Sequence, residues 1–405
     1  MIARMGISCK ARQRGQIVKE DKEDKKMRHQ SWIACTIAFT VGAVTIASAT
    51  DAPTDAQLLE KAKQIHARII TFDSHLDLPF DYPGAAEDGK TQFDLPKASR
   101  GQLKGAALAV FVPQGPRTPE GYTKAAADAD KKLKLIRAIA EANPTRAEIA
   151  QSPADVRRIA AEGKFAVVIS MLNAYPLSSD LDQLDEWYKR GVRILGYTHA
   201  GNNDWADSSR PSKALGDKPD EHGGLSDLGK RGVARMNKLG MLIDVSQLTA
   251  PALKQVLSLT KAPVVATHSG LKGIVDSPRN LSDEELELIK KNGGVVQVVA
   301  FGNYLRKAPP AADEHAPASP ATVAQLVDSI AYAVKKIGID HVGISSDFNH
   351  GGGVAGWQNE GEAHNVTVEL LRRSYSERDV AKLWGGNFLR VWAEAQKLGK
   401  TNSRD

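Results

Sequence analysis

Two hydrophobic rhythms alternate along this chain. Eight short stretches, residues 69–75, 104–112, 165–172, 192–198, 241–247, 262–269, 293–301 and 341–348, are rich in β-branched residues and almost continuously apolar. Between them, apolar positions recur at helical spacing over 123–142, 152–162, 181–190, 225–239, 250–257, 282–291 and 323–337, and again over 377–397 around Trp384 and Trp392. An apolar run without in–out alternation describes a strand buried on both faces, and strands that alternate with helices pack as a parallel sheet. Eight of them close a barrel, so the pattern predicts an α/β fold, a (β/α)8 TIM barrel. Local signals agree: Ser152-Pro153 places proline in a first helical turn, and Ser282 with Glu285 forms a capping box.

Composition narrows the class. With 42% hydrophobic and 25% charged residues the 405-residue chain is globular, and the stretches over 200–224 and 304–320 read as long loops of one barrel. The net charge of +6 looks basic, but the first 31 residues hold nine Lys/Arg against four acids, which leaves a surplus of one for everything else. That balance excludes a nucleic-acid footprint. Lys25-Lys26-Met27-Arg28, the uncharged run 32–46 and Ala47-Ser48-Ala49 have the three parts of a secretory signal. We therefore expect an extension and signal peptide over 1–49, cleaved after Ala49, with Met1 or Met27 as the start, and a single barrel domain over 50–405. The exported product, periplasmic or secreted, would keep no membrane span and neither Cys9 nor Cys35.

The polar residues that break the apolar runs fall at strand ends. His75 and Asp77 close the first strand, His199 follows the fourth, His268 lies on the sixth and Asp347 on the eighth. Barrel enzymes keep their active sites on that edge, and imidazole with carboxylate is a donor set for a zinc-like cation. Residues two apart on a regular strand share a face, which would aim His75 and Asp77 together. Each histidine alone could serve a local hydrogen bond; their common edge points to one site. Arg279 could clamp a substrate carboxylate, and His199 or Tyr304 could donate to a developing oxyanion. Gly-x-Ser-x-Gly is absent, and Gly351-Gly352-Gly353 lacks the context of a phosphate loop.

Several segments in this order resemble the membrane (renal) dipeptidases, zinc metallopeptidases on a metallo-dependent hydrolase barrel. They are Phe72-Asp73-Ser74-His75-Leu76-Asp77, Tyr197-Thr198-His199 with Asn203-Asp204-Trp205-Ala206-Asp207, Gly224-Leu225-Ser226-Asp227, Val264-Val265-Ala266-Thr267-His268-Ser269, Pro278-Arg279-Asn280, Ser345-Ser346-Asp347-Phe348 and Gly386-Asn387-Phe388. The resemblance implies hydrolysis of a dipeptide by a metal-activated water, in a bacterial exported member, with a homodimer allowed. It implies His75 and Asp77 on a first metal and His268 on a second. It also implies His199 at the tetrahedral intermediate, Arg279 on the terminal carboxylate, Tyr304 lining the pocket and Asp347 moving protons beside the metal.

Two positions depart from the family pattern. Leu172 stands where the family has a bridging glutamate, and Gln247 where it has a histidine. Leucine cannot ligate and an amide is a weak donor, so one zinc ion held by His75, Asp77, Asp347 and His268 is expected rather than two. Asn173 and Asp244 are the nearby groups that could compensate. The alternatives are a catalytically silent binding or accessory protein of the same fold, or an amidohydrolase acting on another small amide.

Overall fold

A computed structural model describes residues 53–306 and 320–402; the leader, both cysteines and most of the loop expected over 304–320 lie outside them. Each of the eight predicted runs contains a strand. In chain order the strands are β1 (Phe72–Leu76), β2 (Gly105–Phe111), β3 (Ala147–Ile149), β4 (Phe165–Leu172), β5 (Val192–Gly196), β6 (Leu242–Asp244), β7 (Val265–Ser269), β8 (Val295–Val299) and β9 (Val342–Ser345). All pairings are parallel in the order β1-β2-β4-β5-β6-β7-β8-β9, and β3 pairs only with β4 outside this path. β3 was not anticipated, because three residues are too few to register a period.

The barrel closes at the candidate site. β9 meets β1 through the bridge Leu76–Phe348, flanked by Asp347 N–H to His75 O at 3.1 Å and Asp77 N–H to Phe348 O at 3.0 Å. The His75-x-Asp77 and Asp347 segments are thus the two lips of one seam. Beneath them, buried Asp73 accepts from the backbone and hydroxyl of Ser346 and ties the lips together.

The helices form a ring whose apolar faces cover the strands. The stretch predicted as one helix over 377–397 is interrupted. Helical segments Glu377–Ala381 and Asn387–Asn402 flank a wider, π-helical turn at Lys382–Gly386. Gly385 explains the break: a Cβ there would lie 2.7 Å from Ile70 O, so the chain needs glycine to pass beside the entry to β1. A helix at Asp55–Arg68, opened by the Thr54/Gln57 capping box, precedes the barrel.

His66 joins that helix to the C-terminal region. Its Nδ1–H donates to Gly101 O at 3.1 Å, its Nε2 accepts from the Thr367 hydroxyl at 2.6 Å, and the same hydroxyl accepts from Trp384 Nε1–H at 2.8 Å. Burial, reinforced by His364, lowers its pKa from 6.5 to about 3. The unfolded chain therefore takes up this proton first, and stability falls as pH drops from 6.5 towards 3. We expect about 3 kcal/mol lost between pH 7 and pH 4 from this group. Urea unfolding of the wild type and of His66→Gln at both pH values checks it, because the variant should show a shallower pH slope.

Candidate active site

At the C-terminal edge of the barrel the structure brings His75, Asp77, His268 and Asp347 together. His75 Nε2 lies 3.7 Å from Asp77 Oδ2 and 3.8 Å from Asp347 Oδ1. The His75 and His268 rings stack with centroids 3.8 Å apart, and donor atoms of His75, His268 and Asp347 lie within 4.8 Å of one another. All four side chains are buried. His75 and Asp77, two residues apart, meet as expected, and the register of β1 slips between Asp73 and Leu76 at the same strand end.

Backbone strain marks the same edge. Asn173, Gln247 and Asp347, each just after a strand, have φ of 77, 69 and 56°, in the left-handed region that non-glycine residues rarely occupy. Asp347 holds it through its own backbone bonds across the seam and from Gly352 N–H at 2.9 Å.

The two halves of the site differ in hydrogen bonding. His75 Nε2, both oxygens of Asp77 and Asp347 Oδ1 are buried without any hydrogen-bond partner among the described residues. Buried acceptors without partners are costly, and four converging ones fit a cation. The half containing His268 is internally satisfied instead. Asp244 accepts from the Thr267 hydroxyl at 2.6 Å, that oxygen meets His268 Nδ1 at 2.8 Å, and His268 Nε2 faces the Gln247 amide nitrogen at 3.1 Å. Gln247 Oε1 in turn accepts from Arg210 at 2.5 Å. Because the hydroxyl spends its proton on Asp244, the imidazole carries its proton on Nδ1.

Electrostatics follow from this layout. Burial raises the Asp347 carboxyl to about 7, and the charge of Asp77 adds to it while His75 opposes; a bound cation would favour the carboxylate. Burial works against the charged ring of His75, but the Asp77 and Asp347 carboxylates outweigh it and raise its pKa. His268 and His199 are held neutral, first by burial and then by neighbouring positive groups, His75 for His268 and Arg210 for His199.

The remaining expected residues surround this centre. Arg279 is buried, donates to Ser269 Oγ at 3.2 Å and His268 O at 2.5 Å, and lies 5.6 Å from the centroid of the Tyr304 ring, which stacks on Phe301. His199 packs on Phe111 with ring centroids 4.5 Å apart. Leu172 is buried with Ala109 and Phe111 in a small apolar cluster. Neither compensating candidate is free. Asn173 is spent on Val112 O, Tyr175 N–H and the Asn203 amide, and Asp244 is held by Thr267 and Ser246 N–H.

Two site residues escaped the sequence reading. His350, three residues beyond Asp347, places Nδ1 3.8 Å from Asp77 Oδ2 and its ring against Phe111 and His199; its proximity to Asp347 was the available signal. Arg210 sits in the loop expected over 200–224, where no local pattern distinguishes it.

The sequence pattern defined by the membrane dipeptidases, peptidase family M19, matches residues 59–405. The chain belongs to that family. As a family member it is a metal-dependent peptidase hydrolase on a (β/α)8 barrel. Among solved structures, the probable dipeptidase PvdM from Pseudomonas aeruginosa is similar with TM-score 0.81 and 45% identity, over 85% of this chain and 99% of that one. A metallopeptidase from Rhodobacter sphaeroides liganded with a phosphinate mimic of L-Ala-D-Ala shares the fold, with TM-score 0.70 and 23% identity over 81% of this chain and 99% of that one. Dipeptidase verJ of Clonostachys rogersoniana is 27% identical over 364 residues, 84% of this chain and 88% of the relative. Within this M19 barrel, Leu172 is the last residue of β4 and Gln247 lies three residues beyond the end of β6.

Proposed function

We propose that this chain hydrolyses dipeptides or closely related small amides with a single divalent ion, zinc, and does so as an exported protein. The observation that carries the reading is the set of four unpartnered buried atoms on His75, Asp77 and Asp347, set against a second half whose donors are engaged by one another. These three residues would hold the ion; His268, also expected as a ligand, lies beside them with both ring nitrogens engaged. Bound there, the ion supplies Lewis-acid activation of water at neutral pH.

The protein's own groups do the rest. Arg279 holds the terminal carboxylate, as its buried guanidinium and fixed orientation suit it to do. Asp347 takes the proton of the attacking water as its oxygen bonds to the carbonyl carbon. It then returns that proton to the amide nitrogen as the C–N bond breaks, and the second water proton passes from the new carboxyl group to the released amine, leaving a carboxylate and an ammonium group. His199, neutral and packed on Phe111, borders the position of the carbonyl oxygen. Export is supported by the leader pattern over residues 25–49, and among the described residues no helix is long and apolar enough to cross a membrane.

Protein purified without chelator should contain one equivalent of zinc by plasma mass spectrometry and cleave members of a dipeptide panel, with turnover lost on chelation and regained on adding zinc. Absence of both metal and turnover, with His75 intact, would leave the binding-protein reading in its place.

A further inference from the structure

Arg210 is an unusual residue to find at a cation-binding centre. The loop that follows β5 folds back to deliver it: Gly201 N–H donates to Arg210 O at 2.8 Å, and Arg210 N–H donates to Ser208 Oγ at 3.1 Å. Its side chain enters the mouth of the barrel, where one terminal nitrogen donates to Gln247 Oε1 at 2.5 Å and lies 3.3 Å from His199 Nε2. Its Nε is buried without a partner, and among the described residues no carboxylate pairs with this guanidinium. An arginine held half inside a protein without an acid is costly unless its charge is used there.

Its place in the hydrogen-bond order says how. Asp244, Thr267, His268 and Gln247 form a line that begins in a carboxylate and ends on Arg210. Gln247 and His268 are the positions that the family pattern gives to a second metal. Here the amide nitrogen of Gln247 donates to His268 Nε2, and the outward oxygen of the amide accepts from a guanidinium. The charge reaches the site: a terminal nitrogen of Arg210 lies 3.3 Å from His199 Nε2 and, after burial, helps to keep that imidazole neutral. On the opposite wall, Leu172 with Ala109 and Phe111 supplies apolar surface where a bridging carboxylate would be needed only between two metal ions. That wall also keeps the local dielectric low, which strengthens a fixed charge.

We propose that Arg210 is the resident second cation of this site, taking the place of a second metal ion and offering its free N–H groups to the carbonyl oxygen as negative charge develops. This rests on the hydrolytic reading above for the reaction, and on the hydrogen-bond order and the apolar wall at Leu172, read against the family pattern, for the metal count. A planar guanidinium can serve Gln247, His199 and the substrate oxygen at once, which an ammonium cannot. His199, accepting from Arg210, then acts as a positioning residue for the guanidinium.

The test counts ions. Wild type, Leu172→Glu with Gln247→His, and the same pair with Arg210→Ala are equilibrated with zinc, desalted and measured by plasma mass spectrometry, with circular dichroism confirming fold. Restoring the two ligands should add no ion while Arg210 remains, and removing Arg210 from that pair should add one. An extra ion in the double variant, or none gained by a folded triple variant, overturns the proposal. Should the triple variant not fold, single substitutions decide. Arg210→Met should keep the wild-type metal content and lose about 100-fold in kcat with little change in KM, and Arg210→Lys should recover about tenfold. Undiminished kcat in Arg210→Met overturns it equally. A wild type without peptide turnover would instead sink the hydrolytic reading, while the ion counts still judge Arg210.

Discussion

His75→Ala should bind no zinc and lose at least about 10⁴-fold in kcat/KM, with its circular dichroism spectrum unchanged. The imidazole stands between two carboxylates, with Nε2 at 3.7 Å from Asp77 and 3.8 Å from Asp347, and has no other partner. Removing it takes away a neutral nitrogen donor and leaves the two acids facing each other across a cavity, where one of them will hold a proton and cease to ligate. The fold should survive, because β1 keeps its backbone bonds to β2 and the seam bonds involve His75 O rather than its side chain. Metal analysis and kinetics on the same preparation measure the effect. Retention of zinc and turnover would move the ion away from the seam.

Asp347→Asn should lower kcat by about 10³-fold while KM changes little. Asparagine is the informative replacement because Asp347 sits at φ 56°, a conformation that Asn tolerates better than other non-glycine residues. Its backbone bonds to His75 O and from Gly352 N–H can persist, so the lost property is the ability to carry a proton between water and the leaving nitrogen. An effect confined to KM would assign Asp347 to substrate binding instead. The residual rate, compared with that of His75→Ala, separates the proton-carrying role of this carboxylate from its contribution as a ligand.

The reasons some features were legible in the sequence and others were not are local. β4 reads Phe-Ala-Val-Val-Ile-Ser-Met-Leu, and all eight residues are buried; such a run can be recognised without knowing its neighbours. The polar residues at strand ends stood out against that background. The irregularity in β1 did not, since a register slip is a relation between two strands, and neither did the turn at Lys382–Gly386, which follows from how closely Gly385 passes Ile70. His350 was within reach of a reader who extended the strand-end argument three residues past Asp347. Arg210 was not: its donor meets an acceptor 37 residues away on another strand end, and nothing in its own loop announces the contact.

By itself, then, the order of residues determined the barrel and the edge that carries the chemistry, because burial on both faces of parallel strands writes an apolar run at each strand. It also determined that a leucine stands at 172 and an amide at 247, neither of them a strong metal ligand, which is a matter of side-chain identity. Only the tertiary structure decided which of the remaining donors are free and which are spent. Whether an imidazole nitrogen can meet a cation depends on what already hydrogen-bonds to it. For His268 that partner is Gln247, and for His75 there is none.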